Sequence, residues 1–312
     1  MTTPTDDRYR PEMPGELGRR FAGHSDDNLR FLSRPLLDAA GIEDVDDQNV
    51  WWPFPTEGTF PLDQLKEGSC TGHGSAHELA QGPVQVPGMT NAAGLELYRA
   101  NQAEDRREGR VYDSGATVRA TCQALLRAHR VTGYVWNKGL ADTVRALRVG
   151  PVALGIDWSA SQYETTAAGL VVVGGEWVGG HFIVLGGRQV TDDGMPPALQ
   201  LVRKFGPGSW WVNTWGRKYG VGVPQLGVTK GCGFVPDDKL DLLLSRQGES
   251  VSLRDYFVAP PPTPVKPEPI PVPVPTPTPA PAPTPAPPRP RPGDPWAVWL
   301  AWWKWQQAQG KK

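Results

Sequence analysis

Several things are scarce in this sequence, and each scarcity narrows what the chain can be. Of 312 residues only 3 are cysteine (Cys70, Cys122 and Cys232), too few for a disulfide framework. An odd number leaves at least one thiol free, and so little cysteine favours a reducing compartment, with one bridge still open. No run of about 18 apolar residues occurs, so no segment reads as a membrane-spanning helix. The opening stretch MTTPTDDRYRPEMPGELGRR has no apolar core and does not read as a secretory signal. An excess of charge is missing too: 32 Lys+Arg stand against 33 Asp+Glu, a net of −1. Without a basic field, nucleic acid is not expected as a partner. Internal repeats are absent.

What is present is unevenly spread. Nineteen of the 34 prolines fall between Pro260 and Pro295, and 5 of the 13 tryptophans (Trp296, Trp299, Trp302, Trp303, Trp305) fall in the last 17 residues. A globular body with ordinary composition is therefore followed by an unusual tail. Residues 1–63 carry 13 Asp+Glu against 6 Lys+Arg, an acidic extension ahead of a mildly basic remainder. The expected organisation is an acidic N-terminal extension (1–62), a main domain (63–258), a Pro-rich linker (259–295) and a Trp-rich anchor helix (296–312). Alternating proline favours polyproline II, about 3.1 Å per residue, which suits a spacer. Trp296, Trp299, Leu300 and Trp303 recur at helical spacing beside Lys304, Lys311 and Lys312. Such a helix suits a membrane surface, a cell wall or a groove on a protein partner. The expected location is cytoplasmic or virion-associated, with peripheral attachment through that tail.

Along the body, helices come first. Patterning predicts a weak helix over Asn28–Ala40, an extended anchor at Trp51–Pro55, and helices over Ser69–Gln81, Ala92–Glu108, from Asp113 or Ser114 through the stripe Val118, Cys122, Leu125, His129, and over Leu140–Arg148. Short β-branched or aromatic runs follow at Val152–Trp158, Leu170–Val173, His181–Leu185, Leu199–Lys204 and Ser209–Thr214. Helices then strands indicate an α+β protein with a helical half and an antiparallel half, and a cleft between them is a natural site.

Three segments carry chemistry. Cys70 follows Gly68-Ser69 at a predicted helix N-terminus, where the helix dipole favours thiolate. Gly179-Gly180-His181 puts an imidazole at the start of an apolar strand, and Asn213-Thr214-Trp215-Gly216 ends another strand with an amide beside a large aromatic. Thiol, imidazole and orienting amide in that order follow the logic of a nucleophile–base–orienter triad. His73 and His77 share a helical face with Cys70 at a spacing zinc could use, but no fourth ligand follows. Histidines satisfied by the backbone are the simpler reading, and neither metal nor cofactor is expected.

With Gln64 six residues before Cys70, these motifs resemble the papain-like (C1) cysteine peptidases, in the same order and from about Asp63 to Leu244. Asp113-Ser114-Gly115-Ala116 and Gly150-Pro151-Val152 are similar to further family segments. The resemblance implies a two-lobed papain-like fold, a polypeptide substrate and an acyl-thioester mechanism. It implies Cys70 as nucleophile, His181 as its acid–base partner, Asn213 as the orienter of His181 and Trp215 as the shield of that bond. Gln64 and the Cys70 N–H would form the oxyanion hole, and Gly115 and Gly180 would expose backbone to substrate. The sequence departs from the family at Glu67, where a bridge cysteine is usual, and at Thr71, where Trp is usual. No long inhibitory propeptide is recognisable in residues 1–62, which read as a short propeptide or a lobe-covering segment. These departures suggest a bacterial or phage-type, disulfide-poor relative. The alternative is an inactive papain-fold protein with a binding or structural, for example virion-associated, role, tethered by its tail.

Overall fold

The structure is a computed structural model and describes residues 17–21, 32–43 and 47–253. The linker and anchor helix expected over 259–312 lie outside these residues, as does the start of the helix expected from Asn28. In chain order the elements before the sheet half are β1 (Arg19–Arg20), α1 (Arg34–Ala39), β2 (Val50–Trp51), α2 (Cys70–Gln81), α3 (Asn91–Arg107), β3 (Ala116–Thr117), α4 (Val118–Arg127), β4 (Tyr134–Asn137) and α5 (Gly139–Leu147). Then come β5 (Val152–Ser159), β6 (Trp177–Gln189), α6 (Val202–Phe205), β7 (Gly208–Val212), β8 (Val221–Val223), β9 (Val228–Pro236), α7 (Asp237–Gln247) and β10 (Glu249–Leu253). This is the expected α+β architecture, helical half before antiparallel half.

The sheet has eight strands in the order β4-β10-β5-β6-β7-β9-β8, with β2 added at one end of β6, and its pairs are antiparallel. Helix α2 lies against it, and all twelve of its residues are buried. Part of its polarity is met: Ser75 donates to the Thr71 carbonyl, Gln81 to the Trp52 carbonyl, and His77 accepts from the Leu62 N–H at 2.7 Å, while Thr71 Oγ1, His77 Nδ1 and Gln81 Oε1 are buried without a hydrogen-bond partner among the described residues. Its glycines set the approach. A Cβ at Gly72 would lie 2.2 Å from the Gly94 carbonyl on α3, and one at Gly74 would lie 2.3 Å from the Phe182 ring on β6. The main apolar core gathers Phe54, Leu79, Leu97, Trp210, Val212 and Phe234.

Three local expectations are corrected. The helix expected from Asp113 begins at Val118, because Thr117 caps it by accepting from the Ala120 N–H at 3.1 Å while Asp105 holds the Thr117 N–H and hydroxyl. His129 falls beyond that helix, off the buried stripe of Val118, Cys122 and Leu125. Leu199–Lys204 is not a strand: the Asp192 carboxylate accepts from the Val202 and Arg203 N–H groups at 3.0 and 3.1 Å and opens the short helix α6. Leu170–Val173 makes only single bridges, to Thr165 and Phe234. All three cysteines are free and buried.

Candidate active site

Cys70 is the first residue of α2, after Ser69 at the N-cap. The Ser69 hydroxyl lies 3.2 Å from His73 Nδ1 instead of capping an amide. The Cys70 side chain is fully buried, and burial pushes its thiol up to about 11 against the opposing pull of backbone N–H groups from Phe182, Gly18, Thr71 and Cys70 itself. Those contacts place the sulfur against the residue that follows His181 on β6.

His181 pairs with Ile156 across β5 and β6. Its Nε2 lies 2.8 Å from Asn213 Oδ1. An amide oxygen only accepts, so Nε2 holds the proton and Nδ1 is left as the basic nitrogen. Nδ1 is buried and has no hydrogen-bond partner among the described residues. The ring sits in an aromatic box: Trp215 stacks on it at 4.6 Å and 28°, and Trp158 meets it edge-on at 4.7 Å and 70°. Burial lowers the imidazole to about 4, and the Asn213 bond works in the opposite direction. Burial therefore favours the neutral thiol and the neutral imidazole.

Gln64 is strapped to the segment that carries Asn213. Its N–H donates to the Thr214 carbonyl at 2.8 Å, its Oε1 accepts from the Thr214 hydroxyl, and its Nε2 donates to the Glu67 carbonyl at 2.6 Å. An Asp63–Trp215 bridge and a Gly216 N–H to Leu62 carbonyl bond of 3.0 Å complete the junction. The structure thus joins His181, Asn213 and, through Thr214, Gln64, and sets Cys70 beside Phe182, while no hydrogen bond links the Cys70 sulfur to His181 Nδ1. His73 Nδ1 faces the Ser69 carbonyl and hydroxyl, and His77 faces the Leu62 N–H, so both imidazoles are held by the protein's own groups. No cluster able to hold a metal occurs among the described residues.

Gly115 adopts φ +87, where a glycine is favoured, and its N–H donates to the Tyr98 hydroxyl at 2.9 Å. Gly180 pairs with Asp157. Both glycines face the same neighbour, residues 17–21. The segment β1 runs parallel to β3, with Arg19 opposite Ala116 and Arg20 opposite Thr117, and the Ala116 N–H donates to the Gly18 carbonyl at 2.8 Å. Gly18 fits so tightly that a Cβ there would lie 1.8 Å from the Gly68 carbonyl. A Cβ on Gly180 would come 2.5 Å from the Arg19 carbonyl, and one on Gly179 would meet Leu17. The N-terminal segment therefore covers the sulfur. A lobe-covering segment within 1–62 was expected, but patterning did not locate it, because LGRRF has neither helical nor strand periodicity; the paired arginines in an acidic extension were the available signal.

No protein-family model matches this sequence, and no curated protein matches it. Among solved structures, xylellain, a cysteine protease from Xylella fastidiosa, is similar at 16% identity and TM-score 0.48, over 78% of this chain and 97% of that one. The proform of the ragweed pollen cysteine protease Amb a 11 is similar at 14% identity and TM-score 0.41, over 68% of each chain. Procathepsin B S9 from Trypanosoma congolense gives 11% identity and TM-score 0.38, over 76% of this chain and 82% of that one.

Proposed function

We propose that this chain is a papain-like cysteine peptidase that hydrolyses peptide bonds through Cys70, His181 and Asn213. The observation that carries the reading is the 2.8 Å His181–Asn213 bond inside its aromatic box, which fixes the ring with Nδ1 as base while the Cys70 sulfur lies against the neighbouring Phe182 N–H. Cys70 gives its proton to His181 Nδ1 and attacks the substrate carbonyl. The resulting oxyanion is held by the Gln64 amide and the Cys70 N–H, one such donor being worth about 2.7–4 kcal/mol. Collapse breaks the C–N bond; the leaving amine takes the proton from His181, and an acyl-thioester remains. Water then attacks the thioester as His181 accepts its proton, and the carboxylate leaves as the thiol is restored. Asn213 holds the ring in one tautomer, and Trp215 keeps water from that bond.

Residues 17–21 act in this reading as a self-blocking strand, lying over Cys70 between Gly68, Gly115 and Gly180, with the thiol held neutral until they leave. The Pro-rich and Trp-rich segments (259–295 and 296–312) serve in this reading as a spacer and a tether to a membrane surface, cell wall or protein partner. With all three cysteines free, the chain is a disulfide-poor relative of bacterial or phage type. Labelling with an epoxide thiol inhibitor followed by peptide mapping tests the reading. Selective modification of Cys70 over Cys122 and Cys232 at pH 6, with loss of peptide hydrolysis, is expected; equal reactivity of the three thiols overturns it and leaves the inactive, tethered binding protein.

A further inference from the structure

His73, three residues along α2 from Cys70, is only 3% exposed, and Ser69 at the N-cap of that helix is fully buried. A Cβ on Gly94 would lie 2.9 Å from His73 Cγ and Cδ2, so α3 makes room for the imidazole by carrying no side chain there. The ring's Nδ1 lies 3.1 Å from the Ser69 carbonyl and 3.2 Å from the Ser69 hydroxyl. A carbonyl only accepts, so Nδ1 holds the proton and shares it between the two oxygens. Burial lowers the imidazole against the opposing pull of the Ser69 carbonyl and of the Asp63 and Glu67 carboxylates, so the ring acts as a neutral donor. A serine at an N-cap ordinarily turns its hydroxyl to the second or third amide of the helix. Ser69 makes no such bond. The Gly72 and His73 N–H groups instead both donate to the Ser69 carbonyl, at 3.0 and 3.1 Å. That leaves the first two amides of α2, those of Cys70 and Thr71, and both lie on the Cys70 sulfur together with the Phe182 and Gly18 N–H groups. A hydroxyl turned toward Thr71 would take one of these donors from a sulfur that has to become a thiolate.

We propose that His73 is a positioning residue for the nucleophile: by holding the Ser69 hydroxyl it keeps the Thr71 and Cys70 N–H groups free for the sulfur and the oxyanion. The inference rests on the peptidase reading above and adds to it a residue that acts through Ser69. It also gives a role to the Cys70–His73 spacing, which no metal cluster among the described residues accounts for.

The test is a double-mutant cycle on the full chain, run with glycine and with valine at position 18, each rate being read as a ratio to the parent with the same residue there. Iodoacetamide alkylation of Cys70 is followed as a function of pH, beside peptide hydrolysis. His73→Phe keeps a ring and removes Nδ1. It is expected to slow alkylation about tenfold on the acid side, to move the midpoint of its pH dependence up by about one unit, and to lower kcat with KM little changed. Ser69→Ala alone should leave these values within about twofold, because no hydroxyl then competes for the amides. Ser69→Ala combined with His73→Phe should restore the parent values, whereas damage from a loosened helix would not be repaired by removing a second side chain. Thermal denaturation checks each variant, and where His73→Phe melts below the assay temperature His73→Leu, equally unable to hold the hydroxyl, takes its place in the cycle. A rate unchanged by the loss of His73, or a slowed rate that Ser69→Ala does not restore, overturns the proposal. Alkylation that depends on His73 and is restored by Ser69→Ala, with no peptide hydrolysis by any form carrying Cys70, keeps the positioning role and removes the peptidase. Hydrolysis that requires Cys70 and ignores His73 does the reverse.

Discussion

Asn213 holds His181 by one hydrogen bond, and that bond decides which ring nitrogen is left for the thiol. Asn213→Ala is expected to lower kcat/KM about 10–100-fold, a share of what a positioned acid–base group contributes. Because the bond raises the basicity of His181, its loss should also move the acid limb of the pH–rate profile to lower pH, which a purely structural role would not do. His77 is the structural counterpart. Burial lowers its imidazole to about 3, with the neighbouring His73 adding to the shift, while its ring accepts from the Leu62 N–H. A base lowered on folding contributes stability that is full above its unfolded value, about 6.5, and is lost as pH falls toward about 3. Each such histidine adds about 1.4 kcal/mol per pH unit in that window. Urea unfolding between pH 6.5 and pH 4 should show His77→Gln reducing the slope by roughly that amount, with a slope from His181 remaining; an unchanged slope would mean that His77 is not buried as a neutral ring. At this scale the candidate residues Cys70, His181 and Asn213 stand out in the sequence because they sit in short motifs. Trp158 does not, since a single residue gains a role only from what the fold places beside it.

Helix α2 brings Cys70 to the sheet, and its glycines fix the distance. Gly74→Leu would drive a side chain into the Phe182 ring and is expected to destabilise the protein by about 1–3 kcal/mol. It should also reduce turnover more than stability alone explains, because Phe182 adjoins His181; the two are read by thermal melts and by kcat at a temperature where the variant is fully folded. The covering strand β1 offers a cleaner test. Gly18→Val would set a Cβ against the Gly68 carbonyl and expel the segment without touching the body. Each unit by which the thiol then falls from about 11 raises the thiolate at pH 7 about tenfold. Iodoacetamide should accordingly alkylate Cys70 at least about tenfold faster, with Cys122 and Cys232 unchanged as internal references. An unaltered Cys70 rate would deny the segment its blocking role. Helix positions were legible from spacing, to within a residue for α2, α3 and α5. The strand expected at Leu199–Lys204 failed because a remote carboxylate, Asp192, caps its amides, and β1 escaped notice because two residues of pairing leave no periodic trace.

For the whole molecule, the scarcity of cysteine and of long apolar runs was informative. The three cysteines are free, and no helix among the described residues is long and apolar enough to cross a membrane. The α+β order was readable because helical and strand periods occupy successive halves of the chain. A covering role for residues 1–62 was among the expectations, but which residues cover and what they touch was not legible, because it depends on contacts between residues about 50 to 230 positions apart, such as Gly18 with Gly68 and Arg19 with Glu249. The Pro-rich and Trp-rich tail lies outside the catalytic motifs, so deleting Pro295–Lys312 should leave hydrolysis of small peptides unchanged and abolish retention on vesicles or on a protein partner. The central claim is that Cys70 is a nucleophile paired with His181. It is tested most directly by mass-spectrometric trapping of an acyl or epoxide adduct on the full chain with Gly18→Val. The account predicts a single adduct on Cys70, lost in His181→Ala and accompanied by peptide hydrolysis; an adduct spread over Cys70, Cys122 and Cys232, or hydrolysis that persists in Cys70→Ala, would contradict it.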